Sequence, residues 1–167
     1  MIRDATPDDA GWITDIWNDV IAHTHITFTT TLKTVADIEA MIRDRVVLVL
    51  PEKGGFSTYG EFRGGPGYAA TVEHTVFLAK HTRGKGWGRA LLSALEGRAR
   101  DAGHHVTVAA ISSVNPAAVA FHKAMGYDTV ARMPEVGRKD GIWLDLILMQ
   151  KQLGATVSAS AKPQDRV

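Results

Sequence analysis

Apolar positions in the first quarter of the chain recur every three or four residues, as on one face of a helix. Thr6 followed by Pro7 predicts a helix start, and the periodic pattern carries that helix to about residue 22. Thr34 caps a second predicted helix. The positions expected to face inward are Ile13, Ile16, Trp17, Val20 and Ile21, followed by Val35, Ile38, Met41 and Ile42. Residues 23–33 are hydroxyl-rich and lack this period, so we expect an ordered loop there.

Apolar and β-branched runs separated by glycine-rich turns predict strands. The predicted strands are residues 2–5, 45–50, 56–62, 68–78, 105–111, 127–133 and 142–150. Two more helices are predicted at 87–102, ended by Gly103, and at 115–125, ended by Gly126. This order implies an α/β (α+β) fold in which a mixed sheet carries helices on both faces. The central strand, 68–78, leads directly into a glycine loop, where we expect the chemistry to concentrate.

The composition limits the classes of protein to which the chain can belong. Its 167 residues fit one domain, which we expect to span 1–153 and to be followed by a flexible tail at 154–167. With 19 basic and 18 acidic residues, the net charge is +1, so no nucleic-acid partner is expected. The absence of cysteine excludes disulfides and a thiolate nucleophile. No run approaches the roughly 18 apolar residues of a membrane span, so we expect a cytoplasmic protein without a membrane partner.

The loop after the central strand carries glycine at alternate positions between basic residues. Its sequence is Arg83, Gly84, Lys85, Gly86, Trp87, Gly88 and Arg89. A glycine-rich loop that enters a helix offers backbone N–H groups and a partial positive charge, so we predict a phosphate or pyrophosphate site. A triphosphate-binding loop would need serine or threonine after Lys85, and a dinucleotide fingerprint would need different glycine spacing. A solvated flexible turn is the structural alternative.

With its neighbouring segments, this loop resembles the coenzyme A signature of the GNAT superfamily of N-acetyltransferases. The matching residues are Val76, Phe77, Leu78, Arg83, Gly86, Gly88, Ala90, Leu91 and Leu92. The segments that resemble the phosphinothricin and methionine sulfoximine acetyltransferase branch are 71–76, 103–105, 121–127, 135–139 and 143–150, with Ile111 and Asn115. The resemblance covers residues 1 to about 152. It implies the GNAT fold with a mostly antiparallel sheet, acetyl-CoA as cosubstrate, a small-molecule amine acceptor and a homodimer.

The resemblance also implies where acetyl-CoA is held. Main-chain groups of Val76, Phe77 and Leu78 would meet the pantetheine arm, and the amide of Leu78 would donate to the oxyanion of the reacting carbonyl. Residues 83–89 would take the pyrophosphate. Asn115 would hydrogen-bond the pantetheine, and it can also cap the helix that follows because the two roles use different atoms.

An amine can attack a thioester only after losing its proton, and Glu73 is predicted as the general base. It precedes the cofactor-binding run on the central strand. Thr71 shares its face by the two-residue period of a strand and is assigned with Glu73 to the substrate side. A structural ion pair is the alternative role for Glu73. His74 points to the other face, so we expect it in the core or behind the site.

Further residues are assigned to the leaving group and the acceptor. His122 is placed to protonate the leaving thiolate, with Tyr127 as the alternative. Phe28 is placed either in the wall of the acceptor pocket or in the core, and Thr29 stands where the branch commonly has an acid. Two alternatives, a substrate carboxylate or a dimer contact, stay open for three C-terminal residues: Arg138, Lys139 and Trp143.

The sequence therefore predicts an acetyl-CoA-dependent N-acetyltransferase acting on a small amino acid or analogue of the phosphinothricin, methionine sulfoximine or methionine sulfone type. Direct attack is expected, since no cysteine can carry the acetyl group. The alternatives are acetylation of a protein, peptide or polyamine, and a non-catalytic acyl-coenzyme A sensor. No metal is expected, because His23 with His25 and His104 with His105 each lack a third ligand.

Overall fold

Seven strands form a single sheet in the computed structural model, which describes residues 1–154. The strands are β1 (Arg3–Asp4), β2 (Val47–Val49), β3 (Gly55–Glu61), β4 (Thr71–Leu78), β5 (Val106–Ser112), β6 (Asp128–Lys139) and β7 (Ile142–Gln152). The helices are α1 (Ala10–His23), α2 (Val35–Asp44), α3 (Trp87–Asp101) and α4 (Pro116–Ala124). Within these residues no helix combines the length and apolarity needed to cross a bilayer. Apart from Gly154, the predicted tail 154–167 lies outside the described residues.

The order of strands across the sheet is β1-β2-β3-β4-β5-β7-β6, which puts β4 at its centre. Every neighbouring pair is antiparallel except β4 with β5. The predicted mixed, mostly antiparallel sheet is therefore confirmed, as is the central position of the strand that precedes the glycine loop.

The helices lie on both faces of the sheet, and alternate residues along β2 contact the helices of each face. Val47 and Val49 pack with α1 and α2, whereas Leu48 and Leu50 pack with the apolar face of α3. Helix α4 lies on the same face as α3, and the two share a core with β5 and β7. The predicted helices on both faces are confirmed.

Three details differ from the sequence prediction. Residues 68–70 do not extend β4, because Pro66 fixes its φ angle and begins a 3-10 turn at Pro66–Tyr68. Strand β6 continues to Lys139 rather than ending near residue 133, because β7 pairs with it on both sides of an irregularity. Val35 is exposed rather than inward, since it occupies the first helical position and the buried face of α2 begins at Ile38.

Candidate active site

The central strands β4 and β5 pair over a short stretch and then separate. Residues 71–73 pair with residues 106–108, yet β4 continues to Leu78 and β5 to Ser112. The separation leaves a cleft of about 390 Å³. Its walls come from β4, β5, α4 and residues 26–29 of the segment that joins α1 to α2. We call residues 24–34 the α1–α2 loop.

Glu73 lines the cleft at the point where the two strands separate. Its side chain lies on the same face of β4 as Phe77, which packs against α1. Burial raises the pKa of the Glu73 carboxyl above its usual range. Among residues 1–154 Glu73 forms no ion pair, so the structural ion pair that was its alternative role has no partner there.

His74 and His122 form a buried pair on the other face of β4 from Glu73. Their Nε2 atoms lie 3.0 Å apart and their rings stack. Nδ1 of His122 donates to the carbonyl oxygen of Ala118 at 2.8 Å, so in the neutral pair its Nε2 accepts from Nε2–H of His74. Nδ1 of His74 then accepts from the hydroxyl of Thr107 at 2.9 Å. These bonds fix the tautomer of both rings.

The surroundings of His122 bear on its predicted role as an acid. Burial lowers the pKa of both imidazoles, and burial together with the neighbouring His122 takes that of His74 to about 3. Both rings are therefore neutral at neutral pH. Both nitrogens of His122 have protein partners, so its role as an acid stays a prediction that requires the contact with His74 to open. The alternative acid, Tyr127, is 1% exposed, donates to Glu96 and does not line the cleft.

The glycine loop lies between a short turn at Lys80–Thr82 and the first residue of α3. Gly84 and Gly86 have φ angles of 75° and 79°, in the left-handed region that favours glycine. A Cβ at either position would meet no atom within 4 Å, so backbone conformation rather than packing requires these glycines. The first amides of α3 have no partner within the helix and no side-chain cap among residues 1–154, and they lie at the end of this loop. The basic side chains exposed beside them are Arg83, Lys85 and Arg89.

The glycine loop and the cleft meet at the end of β4. A Cβ on Gly88 would lie 3.4 Å from Leu78 and 3.5 Å from Phe121, so α3 and α4 approach each other closely there. Asn115 caps α4 through its Oδ1, which accepts from the amide of Ala118 at 3.2 Å, and its side chain also lines the cleft. The two roles considered for Asn115 are therefore compatible. Val76 and Phe77 line the cleft, whereas Leu78 lines a separate surface pocket together with Arg83 and residues of α1.

One wall of the cleft is formed by the α1–α2 loop, which contains the residue predicted to meet the acceptor. Phe28 and Thr29 line it, and the ring of Phe28 lies directly on Gly137 of β6. A Cβ at position 137 would overlap that ring, so close approach requires glycine there. Thr71, the other residue assigned to the substrate, lies at the far end of β4 and lines a separate surface groove. The structure therefore brings Phe28 and Glu73 to one cleft but not Thr71.

The three C-terminal residues with open roles face different surroundings. Lys139 is 4% exposed, and its ammonium group is bonded to backbone carbonyls of α1 and the α1–α2 loop. Arg138 lies over the ring of Trp143 at 5.0 Å, and Trp143 is 56% exposed. Lys139 thus has no N–H group left for a substrate carboxylate, whereas Arg138 and Trp143 lie on the outer surface of the β6–β7 hairpin.

Sequence reasoning missed part of the site. The wall formed by residues 109–112 of β5 was not predicted, although the parallel partner of a strand that leads into a binding loop is a natural second wall. The burial of Lys139 carries no local signal, because a lysine side chain is ordinarily exposed, and no residue next to Gly137 indicates that an aromatic ring lies on it. Within residues 1–154 no group of three metal-ligating side chains comes together.

Comparison with known proteins gives consistent matches along the chain. A model of the acetyltransferase (GNAT) family matches residues 13–127. L-Methionine sulfoximine/L-methionine sulfone acetyltransferase of Pseudomonas aeruginosa is 40% identical over an alignment of 167 positions. The alignment covers 95% of this chain and 97% of that protein. An acetyltransferase from Salmonella typhimurium, solved with its cofactor acetyl-CoA, has a TM-score of 0.89 at 36% identity and covers 97% of this chain and 98% of its own. A phosphinothricin acetyltransferase from Sinorhizobium meliloti in complex with acetyl-CoA has a TM-score of 0.86 at 31% identity, covering 100% of this chain and 94% of its own.

Proposed function

The chain belongs to the acetyltransferase (GNAT) family, and we propose that it transfers an acetyl group from acetyl-CoA to the α-amino group of a small amino acid or analogue. Methionine sulfoximine, methionine sulfone and phosphinothricin, after which the relatives are named, share a tetrahedral, oxygen-bearing centre in the side chain. The observation that carries the proposal is the cleft between β4 and β5, in which one strand links Glu73 to the glycine loop.

The residues around the cleft fit acetyl-CoA. A pyrophosphate needs N–H donors and cations, which the start of α3 and the loop's basic side chains supply. An extended pantetheine arm needs unpaired strand backbone, and β4 has no pairing with β5 beyond Glu73. When bound, acetyl-CoA supplies a thioester whose carbonyl carbon is the electrophile. Dependence on acetyl-CoA also favours the predicted cytoplasmic location.

In the proposed reaction Glu73 accepts a proton from the substrate ammonium, directly or through a water molecule, and frees the nitrogen lone pair. The N–C bond forms, the C–S bond breaks, and the thiolate leaves with the electron pair. The nitrogen then loses a second proton, the thiolate takes up one proton, and Glu73 releases the first proton to solvent. The amide of Leu78 stabilises the oxyanion. Because burial raises the pKa of Glu73, its proton affinity lies closer to that of an amine, which makes it a better base than an exposed glutamate.

Release of free thiol from acetyl-CoA against a panel of amines tests this function. The panel contains methionine sulfoximine, methionine sulfone, phosphinothricin, unmodified amino acids, a polyamine and a peptide. We expect the first two to accelerate thiol release most, because a relative that is 40% identical to this chain is named for acetylating them. Faster release with the polyamine or peptide would favour those acceptors instead. Binding of acetyl-CoA without acceleration by any amine would favour the sensor.

We also propose that two copies of the chain associate through the β6–β7 hairpin. Within residues 1–154 strand β6 is an edge of the sheet, and no described strand pairs with the backbone groups on its outer side. Half of the ten large apolar side chains that are exposed within residues 1–154 lie on these two strands: Val130, Met133, Val136, Ile142 and Trp143. A free strand edge is a template for pairing with another strand, an exposed apolar patch marks an interaction surface, and a twofold dimer uses the same patch on both copies.

The mass of a double variant, measured by analytical ultracentrifugation, tests the association. Met133→Asp with Val136→Asp places two charges in the apolar surface and is expected to convert a dimer into a monomer, because buried unpaired carboxylates are costly. Val35→Asp is the control, since Val35 is an equally exposed apolar residue on α2. A wild-type protein that sediments as a monomer would contradict the proposed dimer.

A further inference from the structure

Lys139 is a buried ammonium group without a carboxylate partner among the described residues. Its Nζ donates to the carbonyl oxygens of Ile21 at 2.5 Å, Thr24 at 2.8 Å and Thr27 at 3.2 Å. A lysine ammonium has three N–H groups, and each has one carbonyl acceptor here. Burial of a charge is costly unless all of its hydrogen bonds are made. The buried position of the ammonium therefore requires the three carbonyls, and the carbonyls in turn are held together by the ammonium.

The three carbonyls mark the end of α1 and the start of the α1–α2 loop. The last carbonyls of a helix lack intrahelical partners and carry its partial negative charge, which a buried cation satisfies. The hydroxyl of Thr24 adds a second cap by donating to the carbonyl of Val20 at 2.6 Å. The Lys139 side chain therefore binds the carbonyl end of α1 and the first residues of the chain that leaves it.

Two neighbours of Lys139 on the hairpin hold the same loop. Gly137 supports the ring of Phe28, and Asp140 accepts from His25 at 2.9 Å. The hairpin residues 137–140 thus contact the segment 24–28 at three points. The last residues of that segment, with Thr29, form the wall of the cleft on the side of Glu73.

We propose that Lys139 is a positioning residue for the amine acceptor, which it affects by ordering the α1–α2 loop and not by touching the substrate. The identity of the acceptor rests on the proposed function, whereas the ordering of the loop does not. A substrate carboxylate has to be met by another group, because all three N–H groups of Lys139 are used within the protein.

The test compares Lys139→Met, which keeps the length of the side chain and removes the ammonium, with wild type. Hydrogen exchange of the amides of residues 24–29 is expected to accelerate. The KM for methionine sulfone should rise by about tenfold or more while the KM for acetyl-CoA is unchanged, because only the acceptor wall moves. Lys151→Met is the matched control. It removes a partly buried lysine whose Nζ lies 2.7 Å from a carboxylate oxygen of Glu96, and neither residue lines the cleft.

Unchanged exchange in residues 24–29 would overturn the proposal, as would faster exchange with an unchanged KM for the amine. An equal change in both KM values, or the same change in Lys151→Met, would also overturn it by indicating general destabilisation. If Lys139→Met does not fold, Lys139→Gln replaces the three N–H donors with two, and it should show the same faster exchange and the same rise in the KM for the amine alone. If wild type acetylates no amine, the proposed function fails, and hydrogen exchange still decides whether Lys139 orders the loop.

Discussion

Glu73→Gln is expected to lower kcat/KM for the amine by about 10² to 10⁴-fold at neutral pH, the usual contribution of a general base. Glutamine keeps the size and shape of the side chain but cannot take the proton. A carboxyl whose pKa is raised by burial costs folding free energy where it is charged. The variant should therefore unfold no more easily than wild type at neutral pH, which separates lost chemistry from lost structure.

The pH profile adds a second readout for Glu73. Burial disfavours the carboxylate, so its pKa lies above the ordinary value of 4.5. The base form is lost as pH falls through that raised pKa, and the wild-type rate should therefore decline at higher pH than an exposed glutamate would give. This decline should be absent in Glu73→Gln. Glu61→Gln is the control, because Glu61 is exposed on β3 outside the cleft. A Glu73→Gln rate equal to wild type would exclude Glu73 as the base.

Gly86→Val is expected to weaken binding of acetyl-CoA by more than about tenfold, because a β-branched residue at a positive φ is strained by roughly 1–2 kcal/mol or more and the loop must rearrange. Nothing lies within 4 Å of a Cβ at this position, so the effect comes from the backbone and not from a clash. Gly86→Asn should retain more affinity, since asparagine tolerates the left-handed region. Isothermal titration calorimetry measures the affinity of wild type, Gly86→Val and Gly86→Asn for acetyl-CoA.

Gly97→Ala is the matched control for Gly86→Val. Gly97 lies within α3, and a Cβ there would also meet no atom within 4 Å. Alanine in a helix interior is more stable than glycine by about 1 kcal/mol, so this variant should bind acetyl-CoA like wild type and unfold at a slightly higher temperature. Equal affinity in Gly86→Val and wild type would contradict the assignment of the loop to the pyrophosphate.

Features that are local in sequence were predictable. The glycine loop, the strand before it and the helix after it are contiguous, so the positions of Gly84, Gly86 and Glu73 relative to one another follow from the periods of a strand and a helix. The alternation of side chains along β4 likewise predicted that His74 lies on the opposite face from Glu73. In the structure His74 lies there and is hydrogen-bonded to His122. The neutral tautomers of that pair depend on contacts from other elements and were not predictable.

Contacts between distant parts of the chain account for what the sequence did not reveal. Lys139 is 118 residues from Ile21, and no pattern around either residue indicates that a lysine in an edge strand turns inward to end a helix. The sequence around Gly137 similarly indicates only a glycine in a strand. Its contact with the ring of Phe28 is visible only in the structure. Thr71 was assigned by face alone, but the cleft opens only beyond Glu73, where β5 diverges. The wall of the cleft that contains Phe28 therefore depends on contacts between distant residues more than the glycine loop does.

Identification of the product tests the central claim most directly. The protein is incubated with acetyl-CoA and L-methionine sulfone, and the small-molecule and protein fractions are analysed by mass spectrometry and NMR. We predict one acetyl group on the α-nitrogen of methionine sulfone for each free coenzyme A thiol released, and no acetylated protein when the amine is left out. Acetyl-CoA bound by the protein with no amine consumed, or an acetyl group carried by the protein itself, would contradict it.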